Sequence, residues 1–196
     1  MEIEIIDGHS VAVNLLTKGP VLDAGARGFA FSKRMAELGC ETFACDPSPD
    51  IEQKPACVIH WDNRALVSKK CPPMMSLEMG PDPNGWYVCW DGTLNGSFPV
   101  YTMTLDSYKL PVPWDVIKLN IEGSEYDILD EIEGPIARQI VFGMHEHTQA
   151  ARGRQECDRI IDKLRQWYVI HNQVWEKRYG CIESYWAILA IRKDLA

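Results

Sequence analysis

Short apolar runs alternate along this chain with stretches in which apolar residues recur every three or four positions. The runs "VLDA" (Val21–Ala24), "ETFACD" (Glu41–Asp46), "ACVIHW" (Ala56–Trp61), "WDVIKLNI" (Trp114–Ile121) and "QIVFGMHEH" (Gln139–His147) predict inner strands, since each is brief and bounded by turn formers. "YVIHNQVW" (Tyr168–Trp175) and "SYWAILAIRK" (Ser184–Lys193) predict a closing pair, and "MEIEII" (Met1–Ile6) an edge strand. Between them, "FAFSKRMAELG" puts Phe31, Met35 and Leu38 on one helical face with Gly39 placed as its C-cap. "GSEYDILDEIEG" predicts a helix opened by a Ser124/Asp127 capping box and stopped at Gly134-Pro135, and "ARGRQECDRIIDKLRQW" a longer one.

Strand and helix patterns in alternation predict an α/β fold, a mostly parallel sheet with helices on both faces. The stretch from Cys71 to Val100 departs from this texture. It is rich in proline and glycine, and Asp91-Gly92 and Asn95-Gly96 offer hairpin turns. It reads as a β-hairpin insertion whose Trp86, Tyr87 and Trp90 anchor it on the domain, roof a pocket or meet a second copy in a homodimer. With 196 residues and 46% hydrophobic composition, the whole chain, 1–196, reads as one soluble globular domain, with 1–19 as an N-terminal edge segment and 71–100 as the insertion.

The formal charge of −8 argues against broad contact with nucleic acid or an anionic membrane. The richest basic stretch, Arg152–Arg165, is interleaved with Glu156, Asp158 and Asp162 at helical spacing and reads as a solvated face. Seven cysteines at irregular spacing suit neither a disulfide framework nor a zinc ribbon, and the start lacks the pattern of a secretion signal. A cytoplasmic setting is the expectation.

The chemistry starts at "VLDAGARG". In an open parallel sheet, ligands gather beyond the C-terminal ends of the strands. Gly25 and Gly28 let the backbone bend there and a ligand approach. Asp46 ends the next strand about twenty residues later, where a carboxylate accepts both ribose hydroxyls. Asp23 before the turn, and the absence of a G-x-G-x-x-G fingerprint, disfavour a dinucleotide. An acid at that place suits the ammonium and sulfonium of S-adenosylmethionine. The cofactor set is therefore Asp23, Gly25, Ala26, Arg27, Gly28, Asp46 and Pro47, with Asp62 and Asn63 just past the third strand placed to meet the adenine amino group.

"VIKLNIEGSEYDIL" (Val116–Leu129) resembles the FkbM-type methyltransferase family, whose pattern here is close to I-K-I-D-x-E-G-x-E-x-x-x-L. "VLDAGARG", "CDPSP", "VIHWDNRAL", "TLDSY" and the end of "VFGMHEH" are similar to further segments of that family, so the resemblance spans Val21 to His147. It implies a three-layer α/β/α Rossmann-like methyltransferase fold, a seven-stranded sheet with six strands parallel and the last antiparallel. It also implies methyl transfer from S-adenosylmethionine, leaving S-adenosylhomocysteine, most often to a hydroxyl of a sugar or other small acceptor. Asn120 stands where the family usually has Asp, and Phe29 where its turn usually has glycine.

A hydroxyl acceptor must lose a proton near the methyl group. Glu122 and Asn120 after the fourth strand, and His145, Glu146 and His147 after the fifth, are placed for this. Glu122 and His145 are expected to orient and deprotonate the acceptor, with Asn120 hydrogen-bonding donor or acceptor. A divalent ion held by His145 and His147 together with Asn120 or Glu122 is the less favoured reading. His60 and His171 read as structural. The rivals are a module that holds an adenosyl ligand without catalysis or supports an active partner, and, behind it, an NAD-dependent oxidoreductase.

Overall fold

The computed structural model describes residues 1–49, 51, 54–79, 86–89, 98–144, 152–177 and 183–196. The chain opens on a hairpin, β1 (Ile3–Ile6) and β2 (His9–Ala12), paired antiparallel. Asp7 and Gly8 between them both have positive φ, as a tight two-residue hairpin turn requires. Next come β3 (Pro20–Ala24), α1 (Ala30–Glu37), β4 (Glu41–Cys45) and β5 (Val58–Asp62). A β-rich stretch follows, with β6 (Ala65–Leu66), β7 (Met74–Met79), β8 (Trp86–Cys89) and β9 (Phe98–Met103). The chain then forms β10 (Trp114–Leu119), α2 (Glu125–Asp130), β11 (Ala137–Met144) and α3 (Arg154–Leu164). It closes with β12 (Tyr168–His171), β13 (Trp175–Lys177) and β14 (Glu183–Arg192).

The main sheet runs β12-β14-β11-β10-β3-β4-β5, with β13 also on β14. From β11 through β10, β3 and β4 to β5, neighbours are parallel. β14 is antiparallel to β11, β12 and β13. Every residue of β3 and of β10 is buried, as expected of central strands covered on both faces.

The expected three-layer α/β/α architecture is corrected by this structure. The described residues form three sheets, of two, eight and four strands, and only three α-helices, of 8, 6 and 11 residues. Antiparallel pairing is not confined to one closing strand, since β1–β2, β7–β8 and β7–β9 are antiparallel too. The reason lies in what covers the sheet. On one face, Phe31 and Met35 of α1 share a core with Ile6, Val11 and Ala12 of the first hairpin, so part of that cover is strand rather than helix. On the other, Tyr126 and Leu129 of α2 and Ile160, Ile161 and Leu164 of α3 pack on Leu22, Ile117, Ile140 and Phe142. Between β5 and β10, where parallel strands ordinarily use a crossover helix, the chain builds the four-stranded sheet β6-β9-β7-β8.

Three local expectations change as well. Residues 1–19 supply a separate two-stranded sheet rather than an edge of the main one. Gln139 on β11 holds it, accepting from Ala12 N–H at 2.8 Å and donating to Ala12 C=O at 3.0 Å. The insertion's hairpin is part of the four-stranded sheet, with Trp86 and Tyr87 in β8, while Trp90, Asp91-Gly92 and Asn95-Gly96 lie outside the described residues. The Ser124/Asp127 capping box is not formed: Ser124 makes no side-chain cap, and α2 ends at Asp130, before Gly134-Pro135. No helix among the described residues is long and apolar enough to cross a membrane.

Candidate functional site

Strand order reverses between β3 and β10: β4 and β5 lie to one side, β10 and β11 to the other. The loops leaving β3 and β10 therefore part, and the C-terminal ends of the strands border a crevice. A cleft of ≈ 530 Å³, its open mouth included, occupies this place. Gly25 and Arg27 from the loop after β3, Asp46, Pro47 and Ser48 from the loop after β4, and Asn120, Ile121 and Glu122 from the loop after β10 line it. Ala65, Leu66 and Leu77 of the four-stranded sheet supply an apolar wall.

Each loop is shaped by a specific bond. Gly25 has φ +78°, and a Cβ there would stand 1.8 Å from Asn120 O, so only glycine lets the two loops approach. Gly25 and Ala26 both donate backbone N–H to Cys45 O, at 2.9 and 3.3 Å. Asp46, 5% exposed, accepts Ser48 N–H at 2.8 Å and the backbone N–H of Arg27. Its carboxylate thus joins the loop after β4 to the loop after β3. Burial raises the Asp46 pKa above the ordinary carboxylate range, opposed by the Ser48 hydrogen bonds, the Lys118 charge and the Arg27 N–H.

Two buried charges that were not among the expected site residues organise the same loops. Lys118, 1% exposed on β10, donates to Asp23 Oδ1 at 2.9 Å and to Gly25 O at 2.8 Å. Asp23 Oδ2 accepts Ser32 N–H at 3.1 Å and Ser32 Oγ–H at 2.7 Å, in the first turn of α1. Glu125, fully buried, accepts Ile121 N–H at 2.7 Å and Gly123 N–H at 2.6 Å. That clamp bends the loop after β10 so that Glu122, at φ +54°, meets the cleft. Both residues lie inside "VIKLNIEGSEYDIL", and the signal was a lysine within an apolar strand and a second glutamate after Gly123.

No protein-family model and no curated protein matches this chain.

Of the residues expected to bind the cofactor, Gly25, Arg27, Asp46, Pro47 and Asn120 line the cleft together, and Glu122, expected to be catalytic, joins them. Asp23 does not: its carboxylate is 1% exposed and occupied by Lys118 and Ser32. The expectation that it faces a cationic ligand is corrected on that ground. Ala26 is buried, and Gly28 is in the turn at φ +85° without lining the cleft. Asp62 is gripped by both arms of the Arg64 guanidinium, one at 2.6 Å. Asn63 lines a neighbouring hollow of ≈ 520 Å³, its open mouth included, with Pro47, Phe98 and Tyr101. His145, Glu146 and His147 lie outside the described residues.

Among the described residues, no group of three or more His, Cys, Asp or Glu is placed to hold a metal ion. Burial pushes the Cys45 thiol up to about 12 and that of Cys40 to about 11. Neither is a thiolate nucleophile near neutral pH.

Proposed function

We propose that the chain is an S-adenosylmethionine-dependent methyltransferase acting on a hydroxyl of a small molecule or glycan. One observation carries the reading: Gly25, Arg27, Asp46, Asn120 and Glu122, from three separate loops, meet around one cleft where strand order reverses. Asp46 accepts the ribose hydroxyls, its ionised form being the better acceptor. Arg27 and Glu122 bring opposite charges to the same cleft, a set that fits the carboxylate and ammonium of an amino-acid tail. S-adenosylmethionine, when bound, supplies an electrophilic methyl group. Asn120 and Glu122 flank the mouth on the β10 side, where Glu122 orients the acceptor hydroxyl and takes its proton. Ala65, Leu66 and Leu77 exclude water from that wall.

The choice against NAD rests on different physics from a repelling acid. At a dinucleotide turn, backbone N–H groups and the helix mouth face the pyrophosphate. Here Gly25 and Ala26 N–H are spent on Cys45 O, Arg27 N–H on Asp46, and Ser32 N–H in the first turn of α1 on Asp23. Calorimetry with S-adenosylmethionine, S-adenosylhomocysteine and NAD tests this directly. The first two are expected to bind and NAD not to; NAD as the sole binder would overturn the reading. Incubation with labelled donor and a panel of hydroxylated acceptors then tests transfer, and donor binding with no labelled product would reduce the protein to a binding module.

A further inference from the structure

Lys118 is a fully buried ammonium in the middle of the sheet, and the sheet does not need it to hold register. The β3–β10 ladder pairs residues up to Leu119 with Ala24, and Asn120 N–H adds a bond to Ala24 O at 3.1 Å. The Gly25 carbonyl lies one residue beyond that ladder. On the β4 side its peptide is tied through Gly25 N–H to Cys45 O; on the β10 side the tie is Lys118 Nζ to Gly25 O. A buried ammonium is strongly unfavourable unless compensated, and Asp23 compensates it, held in turn by Ser32 of α1.

We propose that Lys118 is a positioning residue for the ligand cleft: from β10 it holds the Gly25 carbonyl and the Asp23 carboxylate, and so fixes the turn that carries Arg27 to Asp46. This rests on the reading of the cleft as an adenosyl-ligand site. The mechanism has a geometric and an electrostatic part. Geometrically, Arg27 N–H reaches Asp46 only if the two preceding peptides keep their course, and Lys118 fixes the first of them. Electrostatically, the Lys118 charge favours ionised Asp46 against its burial. The other groups that act on Asp46 are the Ser48 side chain and N–H and the Arg27 N–H. The Arg27 and Glu122 side chains share its cleft, and Asp62, whose backbone O accepts Asp46 N–H at 3.2 Å, has its carboxylate paired with Arg64.

The test uses the full chain with Lys118→Met and with the double change Lys118→Met/Asp23→Asn, and S-adenosylhomocysteine as the probe. Lys118→Met leaves Asp23 buried without its cation, so it loses thermal stability and, by calorimetry, about tenfold or more in affinity, the scale of an outer-sphere support residue. Its binding also develops at higher pH, because Asp46 is harder to ionise. The double variant removes both charges, while the side-chain amide that replaces the Asp23 carboxylate still accepts from Ser32; it regains stability, yet affinity stays reduced because Gly25 O has lost its tether. Recovery of affinity together with stability would make the pair merely structural and overturn the inference. If the native chain binds neither adenosyl compound, the functional reading fails separately. The inference is then judged by amide hydrogen exchange without ligand: faster exchange at Ala26 and Arg27 in both variants supports it, and unchanged exchange overturns it.

Discussion

Gly25 and Asp46 sit where a single atom changes the cleft. Gly25→Ala places a methyl carbon against Asn120 O and strains a positive φ, so it is expected to lose more than about 2 kcal/mol of stability in denaturant titration. Asp46 makes a pH prediction of definite sign. Its folded pKa is raised, so the folded state holds that proton more tightly than the unfolded chain does. Stability from this group is therefore present at acid pH and falls as pH rises through the window just above the ordinary carboxylate range. Asp46→Asn should gain stability relative to the native chain on passing from that acid limit to neutrality, and a gap that stays constant with pH would contradict this. Adenosyl-ligand affinity should rise through the same window in the native chain and be flat in the variant. Glu125→Gln replaces one acceptor by an amide that faces an N–H group; a loss of about 1–3 kcal/mol is expected, with faster hydrogen exchange at Ile121 and Gly123. Gly25, Asp46 and Glu122 were legible because their residue types match a chemistry at a known distance from a strand end. Lys118 and Glu125 were not, although they stand in the same motif. A lysine in an apolar run has no visible partner until β3 and β10 are known to be neighbours.

At the level of elements, the apolar runs located β3, β4, β5, β10 and β11 to within a few residues. β3, β10 and β11 leave the strongest mark because they are buried on both faces, and the edge strand β5 still showed as a short apolar run between turn formers. Their cover was less legible. "MEIEII" has the alternation of a half-buried strand, and nothing in that alternation tells a strand at the edge of a sheet from one lying across its face. Gln139 settles the matter with two bonds to Ala12, but glutamine in an apolar run reads only as an interruption. Gln139→Leu should leave Ala12 N–H and C=O without those partners, at about 1–3 kcal/mol. Hydrogen exchange should then rise across β1 and β2 while β10 stays protected. The capping box failed for a related reason: Glu125, one residue further on, took the loop amides, and Ser124 Oγ is buried with no partner among the described residues.

For the molecule as a whole, the cleft draws on three β-units and the four-stranded sheet, so ligand binding bears on the stability of all of them. At a ligand concentration one hundred times its dissociation constant the gain is about 2.7 kcal/mol, which for a chain of this size is a rise of several degrees in melting temperature. S-adenosylhomocysteine is expected to produce it and NAD to leave the melting curve unmoved. The strand-helix alternation predicted helical cover on both faces; the added hairpin and the second sheet replaced part of it with strands, a choice set by long-range pairing that periodicity does not encode. The Asp23 carboxylate, seated at the mouth of α1, has one more effect. A socket already filled by the chain's own anion is a poor berth for a visiting phosphate, so di- and triphosphate nucleotides are expected to bind more weakly than an adenosyl compound, a selection that would be completed during folding, before any of them arrives.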